Sequence, residues 1–248
     1  MSSEDSGRSQ TIRAILGLRS LVIQGELKPG ERVLEQMLVD RLGVSRTPAR
    51  TAMARVCEEG LIEALPVGGY AVAQFSESDV FDAIAIRGNL EGMAARLAAE
   101  RGAPAAVLLK LHRCVEALDG VVERLVHDPD LTDYVRLNDE FHELMLDAAQ
   151  SPMIRRSLGR LTALPFAAPN AFVSVSNADS PAVRTILVVS QDQHRSIVDA
   201  IERREGTRAE ALAIEHARSA WKYLHRVFEA EGGLSHLPGM HLVVRDAA

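Results

Sequence analysis

Apolar residues recur every three or four positions along most of the chain. Ile12, Ile15, Leu18 and Val22 keep that spacing and predict a helix from Thr11 to about Gln24. "GELKPGERV" breaks the pattern with Gly25, Pro29 and Gly30 and reads as a turn. Leu34, Leu38 and Leu42 share one face of a second helix, which Gly43 ends. Ser45 stands where a third helix would be capped. Pro48 falls in that helix's first turn, where a missing N–H is harmless, and the helix should run to about Glu59 before Gly60. "LIEALP" and "YAVAQF", on either side of "VGG", read as a two-stranded hairpin. "SESD" then caps a new helix. The spacing predicts helices near 78–101, 104–127, 131–149, 152–163, 182–204 and 207–230, with breaks at Gly102-Ala-Pro104, Asp128-Pro129 and Gly206. The first ten residues are polar and read as loose. Residues 165–181 form the least regular connection, and the tail after Glu231, ending in "HLVVRD", has no readable role.

Composition narrows the class. The chain has 248 residues, 47% of them apolar, enough for one or two domains with real cores. A net charge of −6 excludes a globally basic nucleic-acid coat. Residues 1–76 hold nine basic and nine acidic residues, so the remainder, with 19 and 25, carries the whole net charge. The neutral segment is the one able to meet a polyanion at low cost. Cys57 and Cys114 do not suggest a disulfide framework. With no leader and no apolar run of transmembrane length, a cytoplasmic, reducing compartment and no membrane partner are expected.

"GVSRTPARTAMARV", residues 43–56, contains three arginines and no acid. Two helices joined by "LGVS" make a helix-turn-helix. Ala49, Met53 and Val56 form the inner stripe of the second, while Arg46 and Arg50 stand one turn apart on another face beside Thr47 and Thr51. Arginine forks suit guanine edges and phosphates. The hairpin that follows would lie along the backbone or minor groove as a wing. The bland reading is a solvated basic face on a structural three-helix unit; the full order of helix, turn, helix, tight turn, basic helix and hairpin favours DNA. Residues 11 to about 75, with "G-x-L-x-P-G" and "GVSRTPxR", resemble the winged helix-turn-helix domain of GntR-family transcription regulators. That resemblance implies that Arg46 and Arg50 read operator DNA, supported by Ser45, Thr47 and Gly69 at the wing. The chain departs from the family at Gly68, where a basic or polar residue is common, and at Gln36, where some relatives carry arginine.

The remaining chemistry is imidazole. In "VRLNDEFHELM", Leu137, Phe141, Leu144 and Ala148 repeat at core spacing, with Asn138 and His142 one turn apart on an adjoining face. His194 lies one turn before Ile197 and Val198, and His216 sits between Leu212 and Ala220. Three histidines on three helices, each on or beside an apolar stripe, either bind a metal or satisfy separate core polar groups. His112, His127, His225, His236 and His241 read as surface or tail residues. Residues 78–230 resemble the ligand-binding domain of the FadR-type branch of GntR regulators, an antiparallel helical bundle known as the FCD domain. The resemblance implies that Asn138, His142, His194 and His216 hold a divalent metal, zinc or nickel, on the floor of a pocket. The metal would take the carboxylate of a small organic acid, with Arg87 of "IRGNLEGMAARLAA" nearby. Asn138 replaces the aspartate of many relatives, and an amide oxygen is a neutral, weaker ligand.

The expected protein is therefore mainly α. It has a winged helix-turn-helix with a two-stranded wing in residues 1–76, an all-helical effector and metal domain in 77–232, and a tail in 233–248. Its expected function is that of an effector-controlled transcription regulator, a repressor and not an enzyme, binding palindromic double-stranded operator DNA as a homodimer. A metal-dependent enzyme with an accessory DNA-binding domain is the alternative, and a purely structural helical dimer is the third.

Overall fold

The computed structural model describes residues 3–125, 130–171, 181–229 and 239–244. Nine helices and three short strands appear among them: α1 (Ser3–Ile23), β1 (Arg32–Val33), α2 (Glu35–Leu42), α3 (Arg46–Glu58), β2 (Ile62–Ala64), β3 (Tyr70–Val72), α4 (Glu77–Arg101), α5 (Ala105–Arg124), α6 (Thr132–Ala149), α7 (Pro152–Leu161), α8 (Pro181–Glu202) and α9 (Gly206–Glu229). The chain is mainly helical, as its periodicity implies. It divides into two compact units. The first reaches to Val80 and also takes in residues 163–166 and the chain end from 238; the second comprises 81–162 and 167–237.

In the first unit, Leu18 and Val22 of α1, Leu38 of α2, Ala49, Ala52 and Val56 of α3, and Ile62 and Val72 of the sheet close one core. α2 ends because Gly43 takes the left-handed conformation, at φ 59°, and returns its N–H to Val39. That turn sets α3 against α1 and α2. Ser45 is the N-cap residue of α3, but its side chain makes no cap bond. Its N–H and hydroxyl both donate to Gln10 Oε1, each at 3.2 Å.

The same contact corrects the expectation of a loose N-terminus, because α1 begins at Ser3. Two polar side chains near its start have partners: Gln10 holds Ser45, and Thr11 Oγ1 donates to the Gly7 carbonyl. Arg13, one turn further on, donates to the Gly43 carbonyl. A hydrophobicity pattern registers none of these bonds. The wing hairpin pairs β2 with β3 antiparallel, Ile62 opposite Val72 and Ala64 opposite Tyr70. A third strand, β1, pairs on the other side of β3, Arg32 opposite Ala71. Two residues are too few to leave an alternation in the sequence.

The second unit is all helix. Leu111 and Leu118 of α5, Phe141 and Met145 of α6, and Leu187 and Ile197 of α8 meet in its core. Ser151 caps α7 by accepting from Ile154 N–H, with Pro152 in the first turn. The break at Asp128-Pro129, residues 172–180 of the 165–181 connection, and residues 233–238 and 245–248 of the expected tail lie outside the described residues.

The segment whose role the sequence left blank belongs to the first unit. Phe75 N–H donates to the Leu242 carbonyl and Val244 N–H donates to the Phe75 carbonyl, making a parallel bridge of Phe75 with Val243. Leu242 is fully buried in the same core as Leu18 and Val56. His241, read as a surface or tail residue, is exposed, and its Nε2 lies 2.8 Å from the Val22 carbonyl. The ring of Phe166 meets Phe75 edge-on at 4.8 Å. Leu242→Ala should therefore destabilise the first unit by about 2–4 kcal/mol, the usual cost of a buried leucine truncation. Urea unfolding of the full chain checks it, and a change under about 0.5 kcal/mol, typical of surface positions, would count against a core role for the tail.

Candidate functional site

Two sites emerge, one in each unit. On α3, Pro48, Ala49, Ala52, Met53 and Val56 are buried, so Arg46, Thr47, Arg50 and Thr51 are left on the solvent face. Thr51 Oγ1 is turned back onto the Thr47 carbonyl. Arg46 and Arg50 are highly exposed and converge on one carboxylate, that of Glu35 at the start of α2. The wing turns through Gly68 and Gly69, at φ 89° and 87°, a conformation that a side chain would strain. Leu65 and Gly69 close that turn with a backbone hydrogen bond. Ser45, Arg46, Thr47 and Arg50 thus share the exposed start of α3, and Gly69 lies at the wing tip.

In the second unit, His142 of α6, His194 of α8 and His216 of α9 converge. One ring nitrogen from each lies within 4.8 Å of the others. His142 and His194 are buried and His216 is partly buried. Phe141 lies against His194, ring centroids 4.1 Å apart, and shuts water from that side.

Hydrogen bonding fixes which nitrogens face inward. Gln191 donates its amide N–H groups to the Val115 carbonyl and to Asp119 Oδ1, so its oxygen is what faces His194 Nδ1, at 3.1 Å. An amide oxygen can only accept, so His194 carries its proton on Nδ1. Gln193 Oε1 accepts from Ser219 Oγ and faces His216 Nδ1 at 3.2 Å, which sets the same tautomer. Both Nε2 atoms are then bare lone pairs, and they sit 3.2 Å apart. Two lone pairs cannot hydrogen-bond each other. A shared proton or a cation between them resolves the conflict. Burial, with the neighbouring imidazoles adding to it, holds His194 well below its usual pKa and lowers His216 to about 3, so protonation is the disfavoured solution. His142 sets its Nδ1 3.0 Å from Glu91 Oε1 in a contact too poorly aligned to count as a hydrogen bond.

Asn138 lines the same cavity as His142 and His216. Its Nδ2 donates to Asn170 Oδ1, and Asn170 is in turn held by the Val135 carbonyl and Asp139. Asn138 Oδ1 stands outside that chain of hydrogen bonds.

Arg87 and Glu91 enter from α4. Gly88 and Gly92, one residue after each, let α4 approach α9. A Cβ at Gly88 would sit 2.8 Å from that of Ala217, and one at Gly92 2.8 Å from Ile214 Cγ1. Arg87 and Glu91 are both buried, their nearest charged atoms 4.0 Å apart. Burial pushes the Glu91 carboxyl up, but His142 and Arg87 outweigh it and bring the pKa down to about 2. Arg87 Nε and Nη1 make no hydrogen bond, although Arg87 lines the cavity. A buried guanidinium with unmet donors is a receptor for an anion. Val183, Ile186 and Leu187 add apolar lining to the cavity, and Tyr134 and Ser190 also line it.

Glu91, Asn170, Gln191 and Gln193 escape sequence reading. Gln191 lies three residues before His194, a helical-turn spacing that could have flagged it; Gln193 and Asn170 act across helices and leave no local signal. His112 is exposed beside Glu202, and His127, His236 and the His225 side chain lie outside the described residues.

The chain can now be set beside known proteins. Residues 82–219 match the FCD domain family, and residues 11–72 match "Bacterial regulatory proteins, gntR family". An uncharacterized HTH-type transcriptional regulator in the TAR-I ttuE-ttuC′ intergenic region of Agrobacterium vitis is 31% identical over 58% of this chain and 83% of its own length. The probable D-xylose utilization operon transcriptional repressor of Paenarthrobacter nicotinovorans is 28% identical over 86% of each chain. The solved structure of McbR/YncC from E. coli superposes with a TM-score of 0.61 at 18% identity, covering 88% of this chain and 98% of its own, which speaks for the fold alone.

Neutral, buried His194 and His216 have a pH signature. Their folded pKa values lie below the unfolded value of about 6.5, so between the two the unfolded chain binds more protons. Stability should be fully present above about pH 6.5 and fall as pH drops through that value toward the folded pKa values. Urea midpoints of chelator-treated protein between pH 7.5 and 5 check this, and a midpoint that rises toward pH 5 would contradict buried neutral imidazoles.

Proposed function

The chain belongs to the gntR family of bacterial regulatory proteins and carries an FCD domain, and from that premise we propose a repressor whose operator binding answers to a small carboxylate held at a divalent metal. It is a DNA-binding transcription regulator; among the described residues no helix is long and apolar enough to cross a membrane. The repressor sign draws on the relative from P. nicotinovorans, which is named as one. Operator DNA as its partner puts its work in the cytoplasm.

On the DNA side, Arg46 and Arg50 read base edges. Ser45 and Thr47 at the start of α3 and the wing backbone at Gly69 serve phosphates. One such helix offers limited contact, so the working form is a homodimer whose two recognition helices reach major grooves ~34 Å apart on a palindrome. Light scattering should give twice the 27.0 kDa chain mass, and selected operator duplexes should carry inverted half-sites. Arg50→Ala should cost ~1–3 kcal/mol of operator affinity and blur one base position. Unaltered affinity and specificity at fixed salt would remove Arg50 from the interface.

On the effector side, His142, His194 and His216 ligate zinc or nickel through one ring nitrogen each, and Asn138 Oδ1 completes the set. The observation that carries this reading is the pair of bare Nε2 atoms 3.2 Å apart, each tautomer set by a glutamine oxygen. Bound there, the metal supplies a Lewis-acid seat for a carboxylate oxygen. Arg87 offers its unmet donors to the same anion, and Val183, Ile186 and Leu187 exclude water from its carbon skeleton. Neutral Asn138 leaves the site one charge more positive than an aspartate would, which favours an anionic effector at some cost in metal affinity.

Protein purified without a histidine tag should carry about one equivalent of metal by mass spectrometry, and chelation should lower its thermal midpoint. Asn138→Asp should tighten metal binding. Less than about a tenth of an equivalent, no uptake of added zinc or nickel, and no loss on His194→Ala would leave three separately satisfied core histidines.

A further inference from the structure

Glu35 is the residue of the first unit that the DNA reading leaves unused. It opens α2, where a carboxylate suits the helix dipole, and that alone would be a sufficient bland account of it. Its contacts go further. Arg50 Nε donates to Glu35 Oε2, and Arg46 Nε lies 3.7 Å from Oε1. One carboxylate thus faces the Nε of both arginines, one oxygen to each. Among the described residues no hydrogen bond occupies the Nη groups of either arginine. Exposed ion pairs of this kind add little to stability, about 0–1 kcal/mol, so stability is a poor explanation of the arrangement.

We infer that Glu35 is the positioning residue for base reading: by accepting from Arg50 Nε and drawing Arg46 Nε towards its other oxygen, it leaves the paired Nη1 and Nη2 of each guanidinium to meet a guanine end-on. The inference rests on the proposal that these arginines meet DNA. The chemistry follows from the fork. A guanidinium can approach an acceptor pair side-on, through Nε and one Nη, or end-on, through both Nη groups. With Nε engaged by the carboxylate, the end-on edge is the one left, and it matches the O6 and N7 acceptors of guanine. The carboxylate also offsets one of the two positive charges. The start of α3 then attracts phosphate less strongly than two free arginines would, and it lodges poorly on DNA that lacks the matching acceptors. Glu35 therefore raises specificity from both directions. It orders the arginines for the right sequence and weakens their hold on every other.

The test uses the full-length chain and two probes: a duplex selected from a random library by the wild-type protein, and a random-sequence duplex of equal length. Glu35→Gln keeps the shape and removes the charge. It should bind the random duplex several-fold more tightly, bind the selected duplex no better, and so lower the ratio of the two affinities ~10-fold, the size of one good base contact. The slope of log affinity against log salt on random DNA should steepen by about one unit, as one net positive charge is gained. Urea midpoints should stay at the wild-type value. Arg46→Ala and Arg50→Ala run beside it. If both leave the ratio unchanged, the DNA reading and the role of Glu35 fall together. If they lower it and Glu35→Gln does not, Glu35 is a helix-end carboxylate only and the DNA reading stands. If Glu35→Gln weakens both probes equally, with a lowered urea midpoint, its role is structural and the inference is overturned.

Discussion

Two imidazole nitrogens that face each other as bare lone pairs inside a helical bundle cannot stay there on packing alone. Their repulsion is held in place by the groups behind them. Gln191 locks His194 from α8 while itself locked to α5 through Val115 and Asp119, and Gln193 locks His216 from across the α8–α9 interface. Turning either ring to relieve the clash would strip an Nδ1–H of its acceptor and leave a buried amide oxygen unmet, at a cost of about 1–3 kcal/mol per group. The bundle therefore holds the geometry a cation would need. The glycine pair of α4 extends the same logic. Without Gly88 and Gly92, α4 could not lie close enough to α9 for Arg87 and Glu91 to act on His216, and the cavity would lose its only buried guanidinium among the described residues.

How far the sequence reveals this depends on how local each cause is. α2, α3 and the helices from 77 to 229 follow from apolar period and from breakers such as Gly43 and Gly102, each written within a few residues. The start of α1 depends on Gln10 bonding to Ser45, 35 positions away, and β1 on two residues pairing with β3; neither leaves a pattern. The same division runs through the histidine cluster. His142, His194 and His216 stand out because imidazoles beside core stripes are unusual. Asn170, which orients Asn138, is one polar residue in a connection of many. Glu91 hides for another reason, since a glutamate four residues after an arginine on a helix reads as an ordinary surface pair, and only burial on both sides reveals otherwise.

The chain end shows how a segment outside both matched family regions becomes part of the DNA-binding unit. Residues 239–244 follow α9 in the chain, beyond 82–219, yet Leu242 fills the core under α1 and Val243 bridges Phe75, a residue between the wing and α4. The helix that carries His216 is thus joined through the chain to the DNA-binding unit at its C-terminal side, while α4, carrying Arg87 and Glu91, is joined to it through Phe75. Residues that would sense the effector lie on both of the helices from which the chain runs into the DNA-binding unit.

The donor and acceptor inventory of the cavity also separates sensing from catalysis. A metal-assisted hydrolysis needs a base with a lone pair to spare beside the metal. Here the carboxylates around the histidines are in use: Glu91 faces His142 and Arg87, Asp139 holds Asn170, and Glu140 pairs with Arg136. What the cavity offers in surplus is donors. Arg87 has two unmet N–H groups, and burial keeps the Tyr134 proton on its oxygen beside Ser190. With the imidazole lone pairs given to a metal, such a site would hold an anion through its donors and have little means of transforming it. That balance belongs to a receptor, and it agrees with the regulators this chain is similar to.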